Sequence, residues 1–134
     1  MSLAKYKQVN KQEKCILVVD DSTDNLYLMQ LILENQGYKV GTADSGKIAL
    51  ERVKKCQPDL IFLDVMMPTM NGYEVVHQLR EDQNLPLIPI YFVTADKYTN
   101  YQEAIAAGAN GVIYKPIEID QLLSQVAHTL GASK

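Results

Sequence analysis

The chain has 134 residues, 47% hydrophobic and 22% charged, and its 13 basic and 16 acidic side chains give a net charge of −3. That is the size of one compact domain and the composition of a globular one, which excludes a disordered tail or a fibrous repeat. No apolar run approaches the ~20 residues of a bilayer-spanning helix, nothing at the N-terminus reads as a secretory signal, and no basic stripe is present. Neither a membrane nor nucleic acid is therefore an expected direct partner.

Residues 1–13 hold lysines among Gln and Asn and read as a flexible leader. The apolar run Cys15-Ile16-Leu17-Val18-Val19 then ends abruptly in Asp20-Asp21. Leu28, Leu31 and Ile32 outline a helix face that Gly37 closes. Tyr38 to Thr42 is more polar and suits an edge strand. Ala49, Val53 and Cys56 follow a cap at Ser45. The run Leu60-Ile61-Phe62-Leu63 ends in Asp64, and a helix pattern with Tyr73, Val76, Leu79 and Arg80 follows Asn71-Gly72. Ile88 to Val93 ends in Thr94, with a shorter stripe of Tyr101, Ala104 and Ile105 after it. Gly111 to Tyr114 ends in Lys115-Pro116, and Ile119, Leu122, Leu123, Val126, Ala127 and Leu130 mark the last helix.

Short apolar runs without alternation are the pattern of parallel strands buried on both faces. Strand and helix alternate five times. Right-handed crossovers then predict an α/β fold, a doubly wound, five-stranded parallel sheet with five helices; the order taken for it is the flavodoxin-like 2-1-3-4-5. The domain is expected over 14–130, with 131–134 as a C-terminal tail and no output domain inside this sequence. Cys15 and Cys56 have neither disulfide-framework nor metal spacing and read as buried small hydrophobes, with the cytoplasm as the expected compartment.

Every strand but the edge one ends in a polar group: Asp20-Asp21, Asp64, Thr94 and Lys115. Open α/β sheets bind ligands outside the carboxyl ends of their strands, where strand order reverses. Each residue has an ordinary reading by itself: Asp caps helices, Thr sits in strands, and a lysine before proline lies in a solvated loop. Their recurrence at successive strand ends favours one shared crevice. Three carboxylates there need compensating charge; Lys115 supplies part, and a divalent ion with oxygen ligands, Mg²⁺, would supply the rest. Mg²⁺ beside a carboxylate, with Lys and Thr donors, is a phosphoryl-binding constellation, and a carboxylate held there can itself become an aspartyl phosphate. Asp64 stands alone and is the natural nucleophile.

These motifs resemble the receiver domain of two-component response regulators, of the single-domain, chemotaxis-regulator-like kind. The matching residues are Val19-Asp20-Asp21, Asp64 through Gly72, Val93-Thr94-Ala95 and Lys115-Pro116, and the resemblance runs from about Lys14 to Leu130. It implies that Asp64 accepts a phosphoryl group as 4-aspartylphosphate, from a sensor histidine kinase or a histidine phosphotransfer protein. It implies Mg²⁺ held by Asp21 directly, by Asp20 mainly through water, by Asp64, and by the backbone carbonyl of Met66. Thr94 and Lys115 would contact phosphoryl oxygens, and a cis bond before Pro116 would aim Lys115 into the site. The face of the fourth helix, fifth strand and fifth helix would meet a downstream protein, the missing output domain of a longer regulator of which this chain is a fragment, or a second copy of the chain. No independent substrate turnover is expected.

Two positions depart from the family pattern. Val112 stands where an aromatic is common, three residues before the lysine, while Tyr114 lies beside Lys115; Asn71 replaces a common Asp in a turn. With the stiff Val112 in place, the switch is expected to fall to the loop from Ala95 to Asn100, with Tyr98 and Tyr101 rearranging. Met66 and Asp96 occupy positions that tune phosphoryl lifetime in the family. A flavodoxin-type carrier is disfavoured because Asp20-Asp21 would repel a flavin phosphate. A phosphatase with an aspartate nucleophile commonly has a second Asp two residues on, and Met66 is there instead. A degenerate, docking-only receiver is disfavoured because all five site residues are present.

Overall fold

The computed structural model describes residues 10–131. The rest of the expected leader, 1–9, and of the expected tail, 132–134, lies outside the described residues. A 3-10 turn, Lys11–Glu13, precedes β1 (Cys15–Val19), α1 (Thr23–Asn35), β2 (Lys39–Ala43), α2 (Gly46–Cys56) and β3 (Leu60–Leu63). Then come α3 (Gly72–Glu81), β4 (Ile90–Thr94), α4 (Tyr101–Ala107), β5 (Gly111–Tyr114) and α5 (Ile119–Leu130). The five strands form one parallel sheet in the order β2-β1-β3-β4-β5, as expected.

Side chains alternate across the sheet into two apolar layers. Leu17, Val19, Ile61, Leu63, Ile90 and Phe92 face α2, α3 and α4. Ile16, Val18, Leu60, Phe62, Val93 and Ile113 face α1 and α5. Because both faces are covered, the central strands read as unbroken apolar runs, whereas edge strand β2 is mostly half-buried. Among the described residues no helix is long and apolar enough to cross a membrane.

Three helix faces differ from the expected ones. In α1 the core side chains are Leu26, Met29 and Leu33, while Leu28 and Leu31 are exposed. The helix is apolar almost all the way round, so two stripes satisfy helical spacing and periodicity does not choose between them. In α4 only Ala104 is buried; Tyr101 and Ile105 face outward. Cys56 is exposed at the last position of α2 and Cys15 is half-buried at the first position of β1, so neither is the buried hydrophobe expected.

Candidate functional site

The sheet register builds the crevice. Val19 pairs with Leu63, so Asp20 and Asp64 leave adjacent strands at the same level. This is where strand order reverses, with β2 on one side of β1 and β3 on the other. On the far side Thr94 pairs with Tyr114, and the amide of Lys115 donates to the Thr94 carbonyl at 2.8 Å. The Lys115–Pro116 bond is cis, as the resemblance implied.

Local structure holds each carboxylate. Ser22, a preferred capping residue, caps α1, so neither Asp20 nor Asp21 is consumed as the cap. The Ser22 amide donates to Asp20 Oδ1 at 2.9 Å, and Asn25 Nδ2 donates to Asp20 Oδ2 at 3.4 Å. Asp64 Oδ1 accepts the Met66 amide at 3.1 Å. The chain then returns against the strand it has just left. Gly72 opens α3 so close to β3 that a Cβ there would lie 2.6 Å from the Asp64 carbonyl oxygen. Gly72 thus serves close approach, beyond the turn role its place after Asn71 suggested.

Lys115 Nζ donates to Asp20 Oδ2 at 2.7 Å and to Asp64 Oδ2 at 3.1 Å. Asp20 and Asp64 are buried at 3% and 6% exposure, and Thr94 at 0%. Asp21 is exposed and, among the described residues, makes no side-chain hydrogen bond or ion pair. One carboxylate oxygen from each of Asp20, Asp21 and Asp64 lies within 4.8 Å of the others. Three carboxylates against one ammonium leave an excess of negative charge facing solvent through Asp21. All-oxygen donors, one of them uncommitted, fit a hard divalent cation such as Mg²⁺.

Burial alone would lower the pKa of Lys115. The hydrogen bonds to Asp20 and Asp64, with their charges, outweigh it, and the ammonium is held above its ordinary value. A raised native pKa stabilises the fold fully below the unfolded lysine value of about 10.4 and ceases to do so as pH rises through the native value. The wild-type thermal midpoint is therefore expected to fall more steeply above about pH 10.4 than that of Lys115→Met. Equal alkaline slopes would mean that the two ion pairs contribute nothing to stability.

Thr94 has a further connection that inspection of the sequence missed. Its Oγ1 accepts the Asp96 amide at 3.1 Å, leaving the hydroxyl proton free to donate. Asp96 takes the Tyr98 amide at 3.0 Å on Oδ1 and the Thr99 hydroxyl at 3.1 Å on Oδ2. The Tyr114 hydroxyl donates to the Thr99 carbonyl, which ties β5 to the β4–α4 loop. Asp96, with Thr99 three residues on, was the one local signal of an ordered loop. Of the expected site residues, Asp20, Asp64 and Lys115 are in direct contact and Asp21 completes the carboxylate group. Met66 is 61% exposed and contributes its amide to Asp64.

A family model described as the response regulator receiver domain matches residues 16–127. The chain is 38% identical over 112 residues to response regulator PleD of Caulobacter vibrioides, covering 83% of this chain but 25% of PleD. It spans only about a quarter of that relative's length. Protein PilH of Pseudomonas aeruginosa is 31% identical over 112 residues, covering 83% of this chain and 93% of PilH. The structure of the chemotaxis response regulator CheY4 of Vibrio cholerae superposes with a TM-score of 0.80 at 34% identity, covering 87% of this chain and 98% of that one.

Proposed function

Since the chain belongs to the response regulator receiver domain family, a phosphoacceptor signalling module of two-component systems, we propose that Asp64 takes a phosphoryl group from a phosphohistidine and that the charge it brings resets a partner-binding face. The observation that carries this reading is the state of the Asp64 carboxylate. It is buried, oriented by the Met66 amide on one oxygen and by Lys115 on the other, and set beside two further carboxylates.

Asp20, Asp21, Asp64 and the Met66 carbonyl would hold Mg²⁺, with Asp21 the most available ligand. When bound, the ion offsets charge on the phosphoryl oxygens and on the carboxylates around them. An Asp64 oxygen attacks phosphorus, the bond from phosphorus to the histidine nitrogen breaks, and the nitrogen leaves with the bonding pair. Lys115 then turns from Asp64 to a phosphoryl oxygen, and the Thr94 hydroxyl donates to another. The donor would be a sensor histidine kinase or a histidine phosphotransfer protein in the cytoplasm. Phosphoramidate also carries phosphorus on nitrogen. With Mg²⁺ it is expected to add one phosphoryl group, read by intact mass; no adduct at any Mg²⁺ concentration would overturn the reading.

The output face would be α4, β5 and α5, where Tyr101, Ile105, Tyr114 and Ile119 are exposed. It suits a downstream protein or a second copy of the chain. Within it, the Tyr114–Thr99 bond offers a route for the switch that does not need an aromatic at Val112. Thr94 moving toward a phosphoryl group would draw on Asp96, and the loop it organises would pull on Tyr114. A hydrogen bond of this kind contributes about 0.5–1.5 kcal/mol net, enough to change coupling several-fold. Beryllofluoride, a phosphoryl mimic, is expected to shift amides of the loop 95–100 and of β5 in the wild type and in Val112→Ala. In Tyr114→Phe the loop response should remain and the β5 response should shrink. An unchanged β5 response in Tyr114→Phe, or its loss in Val112→Ala, would rule this route out.

A further inference from the structure

The end of the sheet opposite the acidic crevice carries a second reactive group. Cys15 opens β1 and Cys56 ends α2, and the two line one cavity of about 90 Å³ together with Leu17, Gly41, Arg52 and Pro58. One backbone bond and one bond to a side chain hold their segments together. The Asp59 amide donates to the Cys15 carbonyl at 2.8 Å, and the Cys15 amide donates to Asp59 Oδ2 at 2.8 Å. Asp59 lies only three residues beyond Cys56, after a turn in which Gln57 takes a left-handed conformation at φ 43°. The clamp fixes Asp59 on Cys15, three residues of chain beyond Cys56.

We propose that Cys15 and Cys56 are a peroxide-sensitive thiol pair that closes into an intramolecular disulfide. The two differ in access, and that assigns their roles. Cys56 is exposed and meets the oxidant first. Its sulfur attacks one oxygen of hydrogen peroxide, the O–O bond breaks, and hydroxide leaves to be protonated as water; Cys56 becomes a sulfenic acid. Half-buried Cys15 then attacks the Cys56 sulfur as a thiolate, the S–O bond breaks, and a second water leaves. In sum, two thiols and one peroxide give one disulfide and two waters, the sulfurs being oxidised and the peroxide oxygens reduced.

Cys15 is the slower partner. Burial, then the nearby charges of Asp59 and Cys56, push its thiol above the ordinary value, so less of it is thiolate at neutral pH. Ring closure should accordingly speed up with pH by about tenfold per unit while Cys15 remains mostly protonated. The cross-link would tie the start of β1 to the end of α2 and leave the crevice at the other end of β1 open.

The test treats the full chain with hydrogen peroxide at neutral and alkaline pH, then maps peptides without reduction. The expected result is one linked peptide pair containing Cys15 and Cys56, formed faster at alkaline pH and released by dithiothreitol. Cys56→Ser should form no link, and Cys15→Ser should leave Cys56 oxygenated. A wild-type map in which Cys56 carries oxygen or joins a second chain, with Cys15 still free, would overturn the proposal. So would a link that forms at the same rate at both pH values.

Discussion

Asp64→Asn is expected to abolish phosphoryl uptake outright: a small phosphodonor and Mg²⁺ that add one phosphoryl group to the wild type should leave the variant's mass unchanged. The amide keeps the size of the side chain and loses the nucleophilic carboxylate oxygen. The fold should survive the change. Asp64 attracts Lys115, 3.1 Å away, and repels two carboxylates whose oxygens lie within 4.8 Å. Removing its charge exchanges one attraction for two relieved repulsions, so stability in urea is expected to hold or to rise by about 1 kcal/mol. The pairing of results matters, because a folded variant without an adduct assigns the acceptor. An adduct on folded Asp64→Asn would place the acceptor elsewhere.

Mg²⁺ should stabilise the wild type, and the gain should depend more on Asp21 than on Asp20. A ligand at 100 times its dissociation constant adds about 2.7 kcal/mol to the stability of the state it binds. Asp21 is exposed, while both oxygens of Asp20 accept bonds from Ser22, Asn25 or Lys115. Asp21→Asn is therefore expected to lose most of the Mg²⁺-dependent rise in melting temperature and most of the calorimetric binding signal. Asp20→Asn should keep a larger share of both. Equal or reversed losses would assign the direct ligand to Asp20. The comparison needs a chelated control, since removing either charge also relieves repulsion in the metal-free protein.

Much of the fold was legible because parallel strands covered on both faces have a distinctive composition. Cys15–Val19, Leu60–Leu63 and Gly111–Tyr114 are bounded in the structure as their apolar runs suggest. β4 begins at Ile90 rather than at Ile88, because Pro89 has no amide to give a ladder and its carbonyl instead accepts the Ile61 amide. Helix orientation was less legible. In α5 polar residues mark the other side, so Leu122 and Val126 fall inward as expected, while Ile119 at the first position of the same stripe is exposed. In α1 apolar residues surround the axis, and only the sheet beneath selects Leu26, Met29 and Leu33.

The order of elements along the chain and the polar residue at each strand end are set by local pattern, and these the sequence determined by itself. Period, caps and glycines act within a few residues, so they can be read along the chain. Which polar groups touch was decided by the tertiary structure. Lys115 chooses Asp20 and Asp64 because the Val19–Leu63 register sets those two carboxylates level and β5 delivers the ammonium between them, leaving Asp21 open. Tyr114 reaches Thr99, and Cys15 and Cys56 share a cavity, for the same kind of reason. Contacts between residues distant in sequence depend on how strands pair and helices pack, and no local pattern carries that information.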